Sequence, residues 1–330
     1  MIDKETCFIG CDWGTSTLRM AVVEKKFGKI LAQISSSEVG IKQTYQDWQS
    51  VGRPDRPKRI PFFLNKLRQP LSQLTQSLGY PLGNMLMVIS GMASSSIGML
   101  ELPYAQLPFE LKGQNMKYHT LDSTDHCPHP VLLLSGVEKV GDVMRGEETQ
   151  VMGLNGLTES SSYRVILPGT HAKHIAVEDG KMKDFTTFMT GEVFDILGSH
   201  SILSNSLEIP KTEGNDATNM AFDKGVLEGR KGKLLAQLFS IRAKELQGTQ
   251  SPEEGYSYLS GLLLGNELAS LEEDKQRPVY IIGNPRLYAL YQRALGVLGL
   301  ENRLHEVPYG ETPLSFRGQI HLLRSFSANL

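Results

Sequence analysis

Two short turns rich in glycine and hydroxyl side chains contain the residues best suited to binding phosphate. The first reads CDWGTSTLR over residues 11–19, and the second reads PGTHAK over residues 168–173. Consecutive backbone N–H groups and hydroxyls in such turns can form an anion-binding nest, and the carboxylate of Asp12 could hold a magnesium ion through water. The predicted phosphate-binding residues are Asp12, Gly14, Thr15, Ser16, Thr17, Gly169, Thr170, His171 and Lys173.

Each turn taken alone is equally compatible with an ordinary polar hairpin, in which Asp12 only forms the turn. The two turns, however, occupy matching places in two similar halves of the chain. We therefore expect them to face each other across a cleft and to hold a polyphosphate between them.

Strands must place these turns, and the first half of the chain begins with three apolar, β-prone segments before any helix. A proline inside a helix removes a hydrogen bond and clashes with the preceding turn, so Pro70 should kink the helix that begins at Pro61. The predicted elements are strands at 7–11, 18–23 and 29–36, a polar loop over 44–59, the helix from Pro61, strands at 85–89 and 131–134, and a helix over 147–157.

The second half repeats this order, with additional helices. Its predicted elements are strands at 163–167, 174–177 and 182–188, a helix from about 191, helices at 217–227, 234–246 and 252–272, a strand at 279–282, a helix at 285–298, a strand at 303–307 and a helix at 312–326. Three strands before the first helix, found twice, indicate a duplicated α/β unit. The Gly/Ser/Glu stretch at 155–162 is typical of a linker and predicts domains at 1–158 and 159–330.

The composition excludes several classes of protein. Of 330 residues, 40% are hydrophobic and 21% are charged, with a net charge of −2, which is typical of a globular protein and disfavours nucleic acid or anionic lipid as the main partner. Three cysteines are too few for a disulfide framework and fit a reducing compartment. We expect a cytoplasmic protein, because the N-terminus lacks a signal peptide and no apolar run reaches membrane-spanning length. The oligomeric state stays open, a homodimer included.

Longer motifs resemble a known enzyme family. The turn DWGTSTLR resembles the first phosphate loop of the sugar kinase/actin/heat-shock-70 superfamily, and PGTHAKH resembles the second. Five segments are similar to the 2-dehydro-3-deoxygalactonokinase family: GMASSSIGMLELPYAQLP (91–108), VMRGEETQ (143–150), LPGTHAKHI (167–175), DFTTFMTGE (184–192) and YLSGLLLGNELAS (258–270). Together with the turns, they span most of residues 7–300.

This resemblance implies an α/β, actin-like (ribonuclease H-like) ATPase fold of two duplicated domains with a cleft between them. It also implies ATP and Mg²⁺, and phosphorylation of 2-dehydro-3-deoxy-D-galactonate at its 6-hydroxyl for later aldol cleavage in galactonate catabolism. The first domain would contain the first phosphate loop, the sugar-acid site and the catalytic carboxylate. The second would contain the second phosphate loop and the adenosine site.

The superfamily places its catalytic base after the last strand of the first domain, at the start of a helix. The matching segment here is Arg145-Gly146-Glu147-Glu148. The helix dipole keeps a carboxylate ionised at this position, so it could orient and deprotonate the acceptor hydroxyl. Glu147 is the first choice and Glu148 the second, and the alternative is that both acids only cap the helix.

A sugar acid also needs a cation for its carboxylate, and arginine binds carboxylates bidentately. Arg19 and Arg145 lie beside the expected cleft, although either could instead pair with Asp12 or Glu147 as scaffolding. Further predicted sugar contacts come from Ser94, Ser95 and Glu192, the last of which could only cap a helix.

For the nucleotide, Gly261 would let a helix approach the adenosine, and Gly283 and Asn284 end a strand where adenine lies in this fold. A packing role is the alternative for these glycines. The group His119, His126, Cys127 and His129 lacks the paired spacing of a zinc site, so zinc is disfavoured.

Three other functions share the same hairpins: an ATPase or filament protein without a sugar acceptor, a phosphohydrolase, and a non-enzymatic sugar-responsive regulator. The segment VMRGEETQ and the serine-rich loop favour the kinase over the first. The regulator usually carries a DNA-binding extension, for which the first predicted strand, at 7–11, leaves no room.

Overall fold

The computed structural model describes residues 5–52, 58–211, 215–274, 276–307 and 310–327. Within these ranges, no helix is long and apolar enough to cross a membrane. The chain divides into two compact units. The first comprises the described residues of Met1–Ser161, Glu178–Asp184 and Pro308–Leu330, and the second those of Ser162–Val177 and Phe185–Val307.

Fifteen strands and ten α-helices are the main elements of the described chain. The strands are β1 (Cys7–Trp13), β2 (Leu18–Glu24), β3 (Ile30–Ser36), β4 (Met87–Gly91), β5 (Ala105–Gln106), β6 (Phe109–Glu110), β7 (Tyr118–Leu121), β8 (Val131–Leu134), β9 (Val137–Lys139), β10 (Asp142–Met144), β11 (Ser162–Leu167), β12 (Ala172–Glu178), β13 (Lys181–Phe188), β14 (Val279–Ile281) and β15 (Leu304–His305). The helices are α1 (Ile41–Ser50), α2 (Arg59–Lys66), α3 (Arg68–Leu78), α4 (Glu147–Gly153), α5 (Thr190–His200), α6 (Asp216–Gly229), α7 (Leu234–Leu246), α8 (Pro252–Leu268), α9 (Pro285–Val297) and α10 (Leu314–Ser327).

The main sheet of the first unit has the order β3-β2-β1-β4-β8-β7. β1 pairs antiparallel with β2 but parallel with β4, in a register that sets Trp13 opposite Gly91. β4 in turn pairs parallel with β8. The carboxyl ends of β1 and β4 therefore lie at one edge of the sheet, where ligands bind in open α/β sheets.

Alternation along β1 explains how both faces of this sheet are covered. Because successive strand residues point to opposite faces, Ile9 and Trp13 join the core that contains Phe63 of α2. On the other face, a methyl group added to Gly10 would lie 2.7 Å from the Phe316 ring of α10. Helix α10 thus packs directly against β1, the strand that contains Asp12.

The three strands predicted before the first helix are confirmed, but the predicted loop over 44–59 is wrong at its start. Residues 41–50 form α1, because Ile41, Thr44 and Trp48 recur at helical spacing and are buried. Residues 53–57 of that predicted loop lie outside the described ranges. The predicted interruption near Pro70 is confirmed, and it falls at Leu67, between α2 and α3. A proline at position 70 would clash with the carbonyl of residue 66 in a continuous helix.

The second unit also begins with three strands before its first helix, as predicted. Its strands are ordered β15-β14-β11-β12-β13, and β11 pairs parallel with β14. Helices α6 and α8 cross closely, with Leu262 and Val226 both fully buried.

The observed units are discontinuous in sequence, unlike the two continuous domains that the sequence predicted. The boundary falls after Ser161, three residues beyond the predicted end at 158, and the last helix belongs to the first unit. The physical reason is the packing of α10 against α4 and β1. A methyl group added to Gly318 would lie 2.0 Å from Thr149 O, so the two helices touch at their backbones.

Candidate active site

Two glycines bring the candidate catalytic helix to the edge of the first unit's sheet. Gly91, which ends β4, has φ +92°, and Gly146, which precedes α4, has φ +110°. A methyl group on Gly146 would lie 3.1 Å from the Cα of Gly91, and one on Gly91 would lie 2.7 Å from Trp13 O. Only glycine combines these backbone angles with such close approach. The first turn of α4 therefore meets the ends of β1 and β4.

Asp12 is the buried acid at this edge. Its side chain accepts a hydrogen bond from Arg19 Nη1 at 3.2 Å and another from Ser315 of α10. Burial raises the pKa of Asp12 above its ordinary value; the charge of Arg19 and the two hydrogen bonds act to lower this pKa, and the charge of Glu147 acts to raise it. Carboxylate oxygens are the donor type that magnesium prefers, so Asp12 fits the predicted metal as a single ligand or through water.

Glu147 and Glu148 occupy different surroundings although they are adjacent. Glu148 is fully buried, and its two oxygens accept hydrogen bonds from Gly146 N at 2.7 Å and Thr149 Oγ1 at 2.8 Å. Burial, and next the charge of Glu147, raise the pKa of Glu148 to about 7. Glu147 is half-buried and accepts a hydrogen bond from Arg145 N at 2.9 Å. Of the two acids, Glu147 is the one that a ligand can reach.

Arg145 presents a buried guanidinium beside these acids. It is 7% exposed and stacks on the Tyr104 ring at 4.0 Å. Its Nη1 donates to Ser94 Oγ at 2.7 Å and its Nη2 to Leu102 O at 3.1 Å, whereas Nε has no partner. Among the described residues, no carboxylate pairs with it. A buried cation without a counter-ion is costly, so this side chain is suited to receiving an anion.

The serines that were predicted to contact the sugar point inward instead. Ser94 is fully buried and Ser95 is 5% exposed. Ser94 accepts the hydrogen bond from Arg145, and Ser95 donates to Met92 O at 2.7 Å. A 3-10 turn over Met92–Ser94 directs both hydroxyls to internal partners. Ser94 thus holds the Arg145 side chain in place. The burial of both hydroxyls does not favour direct contact with the sugar.

The first phosphate turn is held by the start of α1. Gly14 N donates to Thr17 O at 2.9 Å, which closes the turn. Ile41 N donates to Gly14 O and Lys42 N to Thr15 O, each at 3.0 Å. Thr15 and Ser16 are exposed at the tip, and the Arg19 side chain is 53% exposed. The turn is therefore rigidly supported while its hydroxyls stay accessible.

The second phosphate turn is held in a similar way by the start of α5. Gly169, Thr170 and His171 are exposed. Glu192 N donates to Thr170 O at 3.0 Å, and the Glu192 carboxylate lies 2.6 Å from His171 Nε2. A methyl group on Gly191 would lie 2.5 Å from Gly169 O, so the helix start rests directly on the turn.

Lys173 differs from the other residues predicted around this turn. It is 4% exposed, and its Nζ donates to His171 O at 3.3 Å, so it supports the turn backbone from beneath. This geometry gives no support to direct contact between Lys173 and a phosphate.

Of the predicted adenosine residues, two border the second turn and one does not. Gly283 and Asn284 are exposed, a methyl group on Gly283 would lie 3.4 Å from Pro168, and Asn284 Oδ1 accepts the Leu287 N–H that caps α9. Gly261 is buried in the crossing of α8 with α6, where a methyl group would lie 2.0 Å from Phe222 O. Close helix packing therefore explains this glycine without a nucleotide.

Comparison with known proteins decides the family. Residues 12–314 match the family model described as 2-keto-3-deoxy-galactonokinase. The 2-dehydro-3-deoxygalactonokinase of Escherichia coli (strain K12) is 33% identical over 218 residues, which cover 65% of this chain and 71% of that protein.

The chain belongs to the 2-keto-3-deoxy-galactonokinase family. Membership makes the protein a sugar-acid kinase. A candidate 2-dehydro-3-deoxygalactonokinase from Sinorhizobium meliloti has a similar crystal structure, with a TM-score of 0.75, 26% identity, and coverage of 97% of this chain and 96% of that one. The activator of 2-hydroxyisocaproyl-CoA dehydratase from Clostridium difficile, solved with bound ADPNP, matches at a TM-score of 0.50 and 12% identity over 98% of this chain and 95% of that one, which shows a shared fold. The predicted actin-like fold of two domains is confirmed.

Sequence reasoning missed several buried polar side chains of this kinase. Ser315 and Gln319 of α10 contact the end of β1: Ser315 bonds Asp12, and Gln319 Nε2 donates to Cys11 O at 3.1 Å. Glu267 of α8 lies beneath the second turn. The signal for Glu267 was available, since it is a lone carboxylate within the apolar run GLLLGNELAS. Nothing in the sequence marked Ser315.

The group His119, His126, Cys127 and His129 shows no metal-binding geometry. His129 is buried with Nδ1 3.0 Å from Met85 O. No three His, Cys, Asp or Glu side chains in the described part of the chain are grouped to hold a metal ion.

Proposed function

We propose that this kinase transfers the γ-phosphoryl group of ATP to the 6-hydroxyl of 2-dehydro-3-deoxygalactonate. Family membership supplies the reaction class, and the observation that supports the acidic substrate is the buried guanidinium of Arg145, two residues before Glu147. In the proposal, the sugar-acid carboxylate is the missing counter-ion. Stacking on Tyr104 and the bond to Ser94 hold the guanidinium in one orientation, as bidentate recognition requires.

Glu147 is the proposed general base. The proton of the 6-hydroxyl passes to the Glu147 carboxylate while the hydroxyl oxygen bonds to the γ-phosphorus and the bond to the ADP oxygen breaks. The hydrogen bond from Arg145 N fixes the direction of this carboxylate. Glu148 is a positioning residue in the proposal, because its buried oxygens cap the helix start that carries Glu147.

The two turns are the proposed triphosphate site, with Thr15, Ser16, Gly169 and Thr170 contributing N–H groups and hydroxyls. Asp12 would hold magnesium, which supplies charge neutralisation between the nucleotide's phosphates when it is bound. Arg19 is proposed to lie beside the magnesium ion, since its side chain contacts the Asp12 carboxylate.

ADP release, measured with and without 2-dehydro-3-deoxygalactonate, tests this function. Strong stimulation by the sugar acid, with little stimulation by neutral galactose, is expected if Arg145 recognises a carboxylate. Equal ADP release without any acceptor would instead favour the alternative of an ATPase or phosphohydrolase with the same fold.

A further inference from the structure

One buried carboxylate lies beneath the second phosphate turn. Glu267 is 1% exposed and lies in the last turn of α8. Its Oε1 lies 2.8 Å from both His174 Nε2 and the Tyr291 hydroxyl, and its Oε2 accepts a hydrogen bond from the Thr190 hydroxyl. The C-terminal end of a helix disfavours a negative charge. Glu267 therefore depends on these three hydrogen-bond partners for its stability at this position.

The three partners come from three of the elements around the turn, β12, α5 and α9. His174 is on β12, directly after the turn. Thr190 is the first residue of α5, and the next two residues of that helix contact the turn through Gly191 and Glu192. Tyr291 lies in the second turn of α9, the helix that begins just after Gly283.

The donor pattern suits a carboxylate. A threonine hydroxyl, a tyrosine hydroxyl and a ring N–H all donate, and an ionised glutamate can accept from all three. A glutamine offers a single acceptor oxygen. His174 is fixed as well: Phe188 packs on its ring at 4.7 Å, and its buried Nδ1 has no partner among the described residues. Its Nε2 bond to Glu267 is then its principal polar anchor.

We propose that Glu267 is a positioning residue that fixes the second phosphate turn against the starts of α5 and α9, and thereby sets the affinity for the nucleotide. The inference rests on the proposed function, in which this turn binds the phosphates of ATP. Because Glu267 is 1% exposed, it would act on the turn without touching the nucleotide. Its effect passes through Thr190 to α5 and through His174 to β12.

Matched variants separate positioning from general stability. Thr190→Val removes the hydroxyl that Thr190→Ser keeps. Tyr291→Phe and Tyr258→Phe each remove one hydroxyl from a buried tyrosine of the second unit, but Tyr258 donates to Gln237, away from the turn. Glu267→Gln changes the carboxylate that joins the three partners.

ATP binding to the purified full chain is measured by calorimetry without sugar acid, followed by steady-state kinetics. We expect Thr190→Val and Tyr291→Phe to weaken ATP binding about tenfold, the effect of losing one hydrogen bond to a charged group. They should raise KM for ATP equally and leave KM for the sugar acid unchanged. Thr190→Ser and Tyr258→Phe should bind ATP like the wild type.

Two results would overturn the inference: wild-type ATP affinity in folded Thr190→Val and Tyr291→Phe, or an equal loss in Tyr258→Phe. If the wild-type protein itself bound no ATP, the proposed function would fail first. The two failures are therefore distinguishable in a single set of titrations.

Discussion

Replacing Glu148 with glutamine should remove a pH dependence from the stability of the first unit. Glu148 is fully buried, and its pKa is about 7 in the folded protein against an ordinary value of 4.5. Between these pH values the folded unit keeps a proton that the unfolded chain releases. The free energy of unfolding must then fall as the pH rises.

The magnitude follows from the two pKa values. They differ by about 2.5, and one pKa unit corresponds to about 1.36 kcal/mol, so Glu148 should lower the free energy of unfolding by about 3.4 kcal/mol in total, of which about 3 kcal/mol is lost between pH 4.5 and pH 8. Glutamine cannot titrate. It can still accept from Gly146 N with its oxygen and donate to Thr149 with its amide group. Relative to wild type, the free energy of unfolding of the Glu148→Gln variant should therefore increase by about 3 kcal/mol as the pH rises over this range.

Tryptophan fluorescence during urea unfolding reports on the first unit, because both tryptophans of the chain, Trp13 and Trp48, are buried in that unit. Unfolding free energies at several pH values from 4.5 to 8 give the difference between variant and wild type. Glu159→Gln is the matched control, since Glu159 is exposed in the same unit. A constant difference for Glu148→Gln across this range would refute the reasoning.

Three further variants test the proposed site. Glu147→Gln should lower kcat about 100-fold, by loss of the general base, with calorimetric ATP affinity unchanged; a near-normal rate would contradict this. Arg145→Lys keeps the positive charge but loses the planar guanidinium that binds a carboxylate with two hydrogen bonds, so KM for the sugar acid should rise about tenfold. The control is the same change at Arg303, a buried arginine of the second unit, which should leave this KM unchanged. Ser315→Ala should raise the half-saturating magnesium concentration about tenfold, because it removes a hydrogen bond to Asp12, the carboxylate proposed to hold the metal. Ser325→Ala on the same helix is its control, and an equal shift there would argue against a specific role.

Much of the fold and of the candidate site could be predicted from the sequence, because local patterns encode it. The phosphate turns interrupt apolar strand segments, and the Glu147-Glu148 pair follows a glycine at a helix start, so each motif reports its own local structure. The error at 44–59 has a physical reason: Ile41, Thr44 and Trp48 form a helical stripe that polar neighbours and nearby prolines conceal. Local composition alone does not show that a core is available to bury such a stripe.

From the sequence alone come the pair of turns proposed to bind phosphate, the acids near the first of them and the resemblance to the family. Tertiary packing shows which of the two adjacent acids is reachable, that Ser94 supports Arg145, and that α10 lies behind Asp12. These outcomes depend on contacts between residues far apart in the chain, such as Ser315 with Asp12 and Glu267 with His174. Burial and hydrogen-bond geometry are set by packing, and packing brings together side chains that no local spacing relates.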